Sequence, residues 1–331
     1  MSPISLRIGL KSCERYWNMN RIELLQSVLR SSLHLKKGER FAVITDTNKL
    51  DIGRNFHCAA EALGAHSTLV CIEPMQVSGE EPPQIVCDAL MQSDAAVCPM
   101  SVSITHTNAR LQASANGCRV ATMPGITDEM LLTGAMTADY EQVEQFTLRL
   151  TEMLSRADSA TIQKDGHTLT LDLKGRRGVA STGVFRHKGN SGNLPSGEAY
   201  IAPVENGSNG SVVVDGSFGD IGLLGSPIQL TVRDGKLVDI QGQDADKLSV
   251  LRESEANATL CELGIGANYA ARLRGILLED EKAYHTIHVA FGTNDDFGGT
   301  NKATCHMDGI IKNPTLYLDD VLVMRDGEYL I

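Results

Sequence analysis

Short apolar runs alternate with helix-like stretches along the first half of the chain. The helix-like stretches have apolar residues three to four apart and lie at 21–30, 58–63, 83–92, 107–115 and 139–156. The apolar runs between them lie at 41–46, 67–72, 95–98 and 119–122. This alternation is typical of a parallel sheet with flanking helices. The first half therefore predicts an α/β domain.

The pattern changes near residue 157. From there on, short strand-like stretches are separated by turns rich in Gly and Asp, and Asp165-Gly166 predicts a hairpin between the first two. A helix is predicted near 244–256, and the Gly/Asn/Ser-rich segment 188–197 is predicted to be a loop that feeds a site. We predict an α/β, Rossmann-like domain over 1–157 and an α+β, mainly antiparallel, metal-binding domain over 158–331.

Composition narrows the classes of function. The 331 residues carry a formal net charge of -11, which disfavours nucleic-acid binding and favours cations. No apolar run approaches the roughly 18 residues of a membrane span, and the N-terminus shows no basic-then-apolar leader. The eight cysteines are scattered without a Cys-x-x-Cys pair, which favours reduced thiols. We therefore expect a cytoplasmic protein without membrane or nucleic-acid partners.

The segment that ends in His306-Met307-Asp308 suggests a metal site. The two polar residues are two apart in a strand-like run, so both side chains leave the same face of the strand. Gly298-Gly299 before them permits a sharp turn. Glu262 lies in an apolar stretch predicted to be a buried strand, where an unpaired carboxylate is costly and a bound cation would remove the cost.

Further ligand candidates lie nearby in the second half. Glu198 and Glu281 are at turn-flanked positions. His285 and His288 are three apart in a strand-like run, so they point to opposite faces, and the apolar surroundings indicate that His288 is the buried one. A hydrogen-bonded core histidine is the alternative for it. Carboxylates and imidazoles without thiolates suit zinc, manganese, cobalt or ferrous iron.

The first half offers one candidate, His106. It follows the predicted strand 95–98, and parallel sheets bind ligands at the carboxyl ends of their strands. The alternative is a histidine at the start of a helix. Neither a nucleotide-binding Gly-x-Gly-x-x-Gly or Gly-Lys-Ser/Thr motif nor a Gly-x-Ser-x-Gly elbow occurs.

Five motifs in order along the chain carry a resemblance. They are His106-Thr-Asn-Ala-Arg110, Ala121-Thr-Met-Pro-Gly-Ile-Thr-Asp-Glu-Met130, Asn193-Leu-Pro-Ser-Gly-Glu-Ala199, Glu262-Leu-Gly-Ile-Gly266, and Asp280-Glu-Lys through His306-Met-Asp308. Because it has all five motifs in this order, the chain resembles the aminopeptidase T/S family of metallopeptidases, the thermophilic leucyl aminopeptidases.

The resemblance implies a homodimeric hydrolase with two divalent ions per chain, zinc, cobalt or manganese. A metal-activated water would release the N-terminal residue of a short peptide or split a small amide. The positions that match the family's ligands are Glu198, Glu262, His288, His306 and Asp308. Glu281 lies near a further acidic residue of the family and, with His106, is the predicted catalytic group.

The chain is also similar to the 2,5-dihydroxypyridine dioxygenases, around the Gly-Gly…His-x-Asp segment and at His106. Those enzymes hold one ferrous ion with two His and one Asp, and Glu262 stands here where they have their first His. The alternative is therefore a mononuclear Fe(II) ring-cleaving dioxygenase, although the carboxylate-rich set favours hydrolysis. The third hypothesis is a binding protein that has lost its metal.

Overall fold

The computed structural model describes residues 19–331. The helices in this range are α1 (Met19–Ser31), α2 (Leu50–Ala62), α3 (Gln84–Met91), α4 (Asn108–Ala115), α5 (Asp128–Thr133), α6 (Tyr140–Arg156) and α7 (Leu277–Asp280). The strands up to residue 218 are β1 (Arg40–Asp46), β2 (His66–Ile72), β3 (Ala95–Met100), β4 (Arg119–Pro124), β5 (Ser159–Lys164), β6 (His167–Asp172), β7 (Val179–Ser181), β8 (Ser191–Asn193), β9 (Glu198–Ile201), β10 (Asn209–Val214) and β11 (Ser217–Phe218). The later strands are β12 (Gly222–Leu223), β13 (Ile228–Arg233), β14 (Lys236–Gln241), β15 (Leu260–Gly266), β16 (Thr286–Gly292), β17 (His306–Lys312), β18 (Thr315–Leu318), β19 (Val321–Arg325) and β20 (Glu328–Tyr329). No helix in this range combines the length and apolar character that crossing a membrane requires.

Of the described residues, the first compact unit contains 19–132 and 183–194. Its five-stranded sheet has the order β2-β1-β3-β4-β8, and every neighbouring pair is parallel. Strands β1, β3 and β4 are buried almost throughout, as expected for a parallel sheet covered by helices. The predicted α/β class of the N-terminal part is confirmed.

The second compact unit contains residues 133–182 and 195–331 and is built from two antiparallel sheets. One has eight strands in the order β14-β13-β10-β6-β5-β18-β19-β20, and the other has seven in the order β12-β11-β17-β16-β15-β9-β7. One apolar cluster joins both sheets and helix α6, with Leu154, Ile162 and Leu263 among its members. The predicted antiparallel class of the C-terminal part is confirmed.

Local turns explain the first hairpin of this unit. Strands β5 and β6 pair in antiparallel register, and the linking Asp165 and Gly166 have φ angles of 49° and 80°. Both central residues therefore have the positive φ that a tight two-residue hairpin turn requires. The helix predicted near 244–256 is instead a kinked 3-10 stretch over Ala245–Arg252, because Leu248 leaves helical geometry.

The division into units differs from the predicted boundary at 157/158 in two respects. Helix α6 belongs to the second unit, because its apolar face, including Leu150 and Leu154, packs in that unit's core. The segment 183–194 returns to the first unit, because β8 pairs with β4. The sequence predicted a loop over 188–197 and gave no sign of the short strand β8 within it.

Candidate metal centre

Three neighbouring strands of the seven-stranded sheet carry four of the predicted metal ligands. Glu262 on β15 is opposite Ala290 on β16, which is opposite Asp308 on β17. Two pairs further along, Gly292 is opposite His306. Because side chains alternate along a strand, His306 and Asp308 share a face, and the register places Glu262 on that face too. The small Ala290 between them leaves space for the two carboxylates.

Gly264 makes room for the fourth ligand. It pairs with His288 across β15 and β16, and a Cβ built on it would lie 1.9 Å from Nε2 of that histidine. Only a residue without a side chain lets the imidazole lie across the strand. The ring itself is fully buried.

Both imidazoles lie close to the two carboxylates. His288 Nε2 lies 3.3 Å from Glu262 Oε1 and 4.0 Å from Asp308 Oδ1. His306 Nε2 lies 3.3 Å from Glu262 Oε2 and 3.5 Å from Asp308 Oδ1. Glu262, His288 and Asp308 offer ligand atoms that are all within 4.8 Å of one another. We call these four residues the imidazole half of the site.

The electrostatics of the imidazole half are those of buried opposite charges. Burial opposes the charge on Glu262, but hydrogen bonds from His288 and His306 outweigh it and lower the pKa of the carboxyl to about 2. Burial also opposes the imidazolium of His288, yet its hydrogen bond to Glu262 and the nearby carboxylates raise its pKa to about 9. The pKa of His306 is also raised, because Asp308 and Glu262 outweigh the effect of burial. The carboxylates therefore favour the protonated form of both imidazoles in the metal-free site.

A backbone hydrogen bond orients His306. Its Nδ1 donates to the Thr293 carbonyl oxygen at 2.9 Å, which leaves Nε2 free to face the carboxylates. Metal-binding histidines commonly have this arrangement, in which the second ring nitrogen is fixed by a backbone acceptor. The buried thiol of Cys261 lies 3.7 Å from the same Nδ1.

Glu198 and Glu281 lie on the other side of His288, and a lysine joins them. Glu198, at the start of β9 opposite Gly266, has Oε2 3.7 Å from His288 Nε2. The Lys282 ammonium lies 2.8 Å from Glu198 Oε1 and is paired with Glu281. We call Glu198, Glu281 and Lys282 the ammonium half of the site.

Lys282 is the functional residue that the sequence prediction missed. Its side chain is fully buried, and its pairing with the two glutamates raises its pKa further although burial acts in the opposite direction. Burial raises the pKa of Glu281, while the lysine opposes that rise. In the sequence, Lys282 ends a run of charged residues that is typical of an exposed helical turn.

The donor set fits a divalent cation. Within residues 19–331, Oε2 of Glu198 and Nδ1 of His288 are buried side-chain atoms without a hydrogen-bond partner, although such atoms are normally satisfied. Four carboxylates and two imidazoles without a thiolate match the preferences of iron, manganese, cobalt and zinc. The site residues can therefore hold metal, and the set leaves the choice among these ions open.

Two histidines of the sequence prediction, His285 and His106, lie outside this cluster. His285 points away from it, as predicted, and its Nδ1 lies 2.9 Å from the Gly327 carbonyl oxygen. His106 belongs to the first unit, where it is exposed in the turn between β3 and α4. Its predicted catalytic role stays a prediction.

The fold and this cluster define the class: a two-unit protein with a buried carboxylate–imidazole centre on an antiparallel sheet. The chain belongs to the family described as NicX: 2,5-dihydroxypyridine 5,6-dioxygenase, whose model matches residues 20–331. It is therefore a member of a family of enzymes.

Two solved structures share this fold. One is the 2,5-dihydroxypyridine dioxygenase from Pseudomonas putida KT2440, with a TM-score of 0.79, 20% identity, and coverage of 94% of this chain and 96% of that one. The other is wild-type AmpT from Thermus thermophilus, with a TM-score of 0.72, 17% identity, and coverage of 94% and 99%. No curated protein gives a significant match. The predicted relation to aminopeptidase T is confirmed at the level of the fold.

Proposed function

We propose that this chain is a non-haem iron(II) dioxygenase that cleaves a hydroxylated aromatic ring of the 2,5-dihydroxypyridine type. The observation that carries the proposal is that the Nε2 atoms of His288 and His306 lie 4.0 and 3.5 Å from the same oxygen, Oδ1 of Asp308. Two histidines and one carboxylate are the donor set of non-haem iron(II) oxygenases. The family membership supports the same chemistry.

The protein's own groups have separable tasks in this proposal. His288, His306 and Asp308 would hold the ion, which when bound supplies the redox chemistry that activates oxygen. Glu262 lies against both imidazoles and adds a negative charge that offsets the charge of the ion. The Thr293 carbonyl keeps the His306 ring in the orientation that presents Nε2.

An aromatic wall beside the imidazole half suits a ring-shaped substrate. The half-buried Phe297 ring has its centroid 6.0 Å from that of His306 and 5.4 Å from that of Tyr200. Edge and offset contacts at such distances favour another aromatic ring. A short peptide would gain less from this wall.

The second candidate is the metallo-aminopeptidase that the sequence favoured. The observation in its favour is a second group with metal-ligand spacing, Glu198, Glu281 and His288, whose atoms also lie within 4.8 Å of one another. Together with the imidazole half, this group would give a two-ion site of the kind that activates water for hydrolysis.

Oxygen consumption separates the two candidates. We expect protein loaded anaerobically with Fe(II) to consume oxygen when 2,5-dihydroxypyridine is added, with loss of the ring absorbance in equal amount. Asp308→Asn should abolish the uptake, whereas Asp215→Asn, which changes a carboxylate paired with Lys164 elsewhere in the same unit, should not.

The opposite result would support hydrolysis. Release of aniline from aminoacyl anilides by zinc-, cobalt- or manganese-loaded protein, without oxygen uptake by the iron-loaded form, would replace the dioxygenase proposal by the aminopeptidase one. Neither activity in a folded, metal-loaded protein would contradict both.

A further inference from the structure

The burial of Lys282 requires an explanation, because a lysine is almost never fully buried unless it is paired. Its side chain has 0% exposure, and its ammonium is in contact with Glu198 and Glu281. Helix α7 ends just before it, and the backbone N–H of Asn268 donates to its carbonyl oxygen at 2.9 Å. The ammonium is therefore held in place by both its charge partners and its backbone.

The place it occupies is a potential cation site. Glu198, Glu281 and His288 have the spacing of metal ligands. Two of these three residues, the glutamates, are the partners of the lysine. An ion bound by both carboxylates would have to share their oxygen atoms with the ammonium.

Charge makes such sharing unfavourable. A divalent ion beside a buried ammonium would be strongly repelled, because like charges interact more strongly in a poorly solvated interior than in water. Moving the ammonium away would also be strongly unfavourable, because it would leave two buried carboxylates unpaired. The imidazole half differs, because its carboxylates face the imidazoles of His288 and His306, which can themselves serve as metal ligands.

We propose that the Lys282 ammonium takes the place of a second metal ion, so that the site holds one divalent ion in its imidazole half. Glu198 and Glu281 then act as counter-ions of the lysine and not as metal ligands. This inference rests on the proposed function in one respect, since a single ion is what iron(II) oxygen chemistry needs. It concerns metal stoichiometry, which is measurable without any activity.

The test is the number of ions bound by the full chain after chelator treatment and dialysis. Titration with Mn(II), followed calorimetrically and by elemental analysis, should give about one ion per chain for the unchanged protein and about two for Lys282→Met, the number of a paired-metal site. The affinity for the second ion should increase at least about tenfold, since the repulsive charge is gone.

A matched variant controls for the loss of a lysine as such. Lys164 is also mostly buried and ion-paired, with Asp215 at 3.3 Å, but lies outside the site. Lys164→Met should keep about one ion per chain. If Lys282→Met keeps one ion with unchanged affinity while remaining folded by circular dichroism, the inference is overturned.

A second variant decides the matter if Lys282→Met does not fold. Glu281→Gln keeps the lysine and removes one supposed ligand, and we expect the ion count and the affinity to stay within about threefold, because ligands of the bound ion lie elsewhere. Loss of the ion in Glu281→Gln, or two ions in the unchanged protein, would overturn the inference. An ion count that follows these expectations without oxygen uptake would leave the inference intact and refute only the dioxygenase proposal.

Discussion

The imidazole half and the ammonium half of the site each contain two buried or mostly buried carboxylates, but the two pairs are neutralised differently. In the imidazole half, Glu262 and Asp308 face His288 and His306, whose protons can be exchanged for a metal ion. In the ammonium half, Glu198 and Glu281 face Lys282, whose charge is fixed to the chain. Acidic residues at ligand spacing therefore do not by themselves define a metal site. The positive group beside them decides whether a cation can enter.

The largest expected effect is the loss of metal when an imidazole is removed. His288→Ala should weaken Fe(II) or Mn(II) binding by more than about 100-fold and abolish oxygen uptake. Replacing a residue that only orients a ligand weakens metal binding by up to about 100-fold, and loss of the ligand itself should cost more. His285→Ala is the matched control, because this histidine is close in the chain but points to the other face. Calorimetric titration measures both. Equal affinities in the two variants would contradict the assignment of the imidazole half.

The second-largest expected effect tests the space that Gly264 leaves for the His288 imidazole. In Gly264→Ala the new methyl group would lie 1.9 Å from His288 Nε2, so the ring must move. We expect a loss of about 1–3 kcal/mol in the free energy of unfolding, as for overpacked cores, and weaker metal binding. Gly225→Ala places its methyl group in open space and should change neither. Chemical denaturation and metal titration check both variants.

The site residues could be predicted from the sequence wherever strand periodicity determines their direction. His306 and Asp308 are two apart in β17, so alternation places both side chains on one face. The same rule does not account for His285, which precedes β16 and has a φ of 69°. The register that adds Glu262 could not be predicted, because it depends on pairing between β15 and β16 over a long chain separation.

The ammonium half shows where sequence patterns fail. Glu279, Asp280 and Lys282 are all fully buried, although such a charged run is typical of solvent-exposed chain. Their burial is possible because partners from other segments satisfy them; Glu279, for example, accepts from Arg274 Nε at 2.9 Å. Only three-dimensional pairing makes this burial favourable, so no local pattern indicates it.

The pH dependence of the metal-free protein provides a third, smaller effect. The pKa of His288 rises from 6.5 to about 9 on folding, so its stabilising contribution is complete below pH 6.5 and is lost as the pH rises through 9. We expect the Tm of metal-free protein to fall by a few degrees over this window. Metal affinity should rise with pH over the same window, because the ion competes with the proton.

His288→Gln is the control for the pH effect, because glutamine does not titrate. Its metal-free Tm should fall less over the same pH window than that of the unchanged protein, because only the titration of His306, whose pKa is also raised, and of Glu281 remains at the site. Calorimetric titrations in two buffers with different heats of ionisation should show proton release on metal binding to the unchanged protein. No release at pH 7 would mean that the imidazoles are already neutral, and the contrast between the two halves would lose its basis.

The smallest effect concerns the aromatic wall. Phe297→Leu removes a ring beside His306 without touching a ligand, so the ion count should not change in either half. We expect KM for 2,5-dihydroxypyridine to rise about two- to tenfold, which corresponds to the free energy of one aromatic contact, and kcat to stay nearly unchanged. Phe146→Leu, in the aromatic cluster with Tyr284 and Tyr329 outside the site, should leave KM unchanged. A fall in kcat and in the ion count for Phe297→Leu would instead show that the wall supports the His306 ring, and the imidazole half would then extend beyond its four residues.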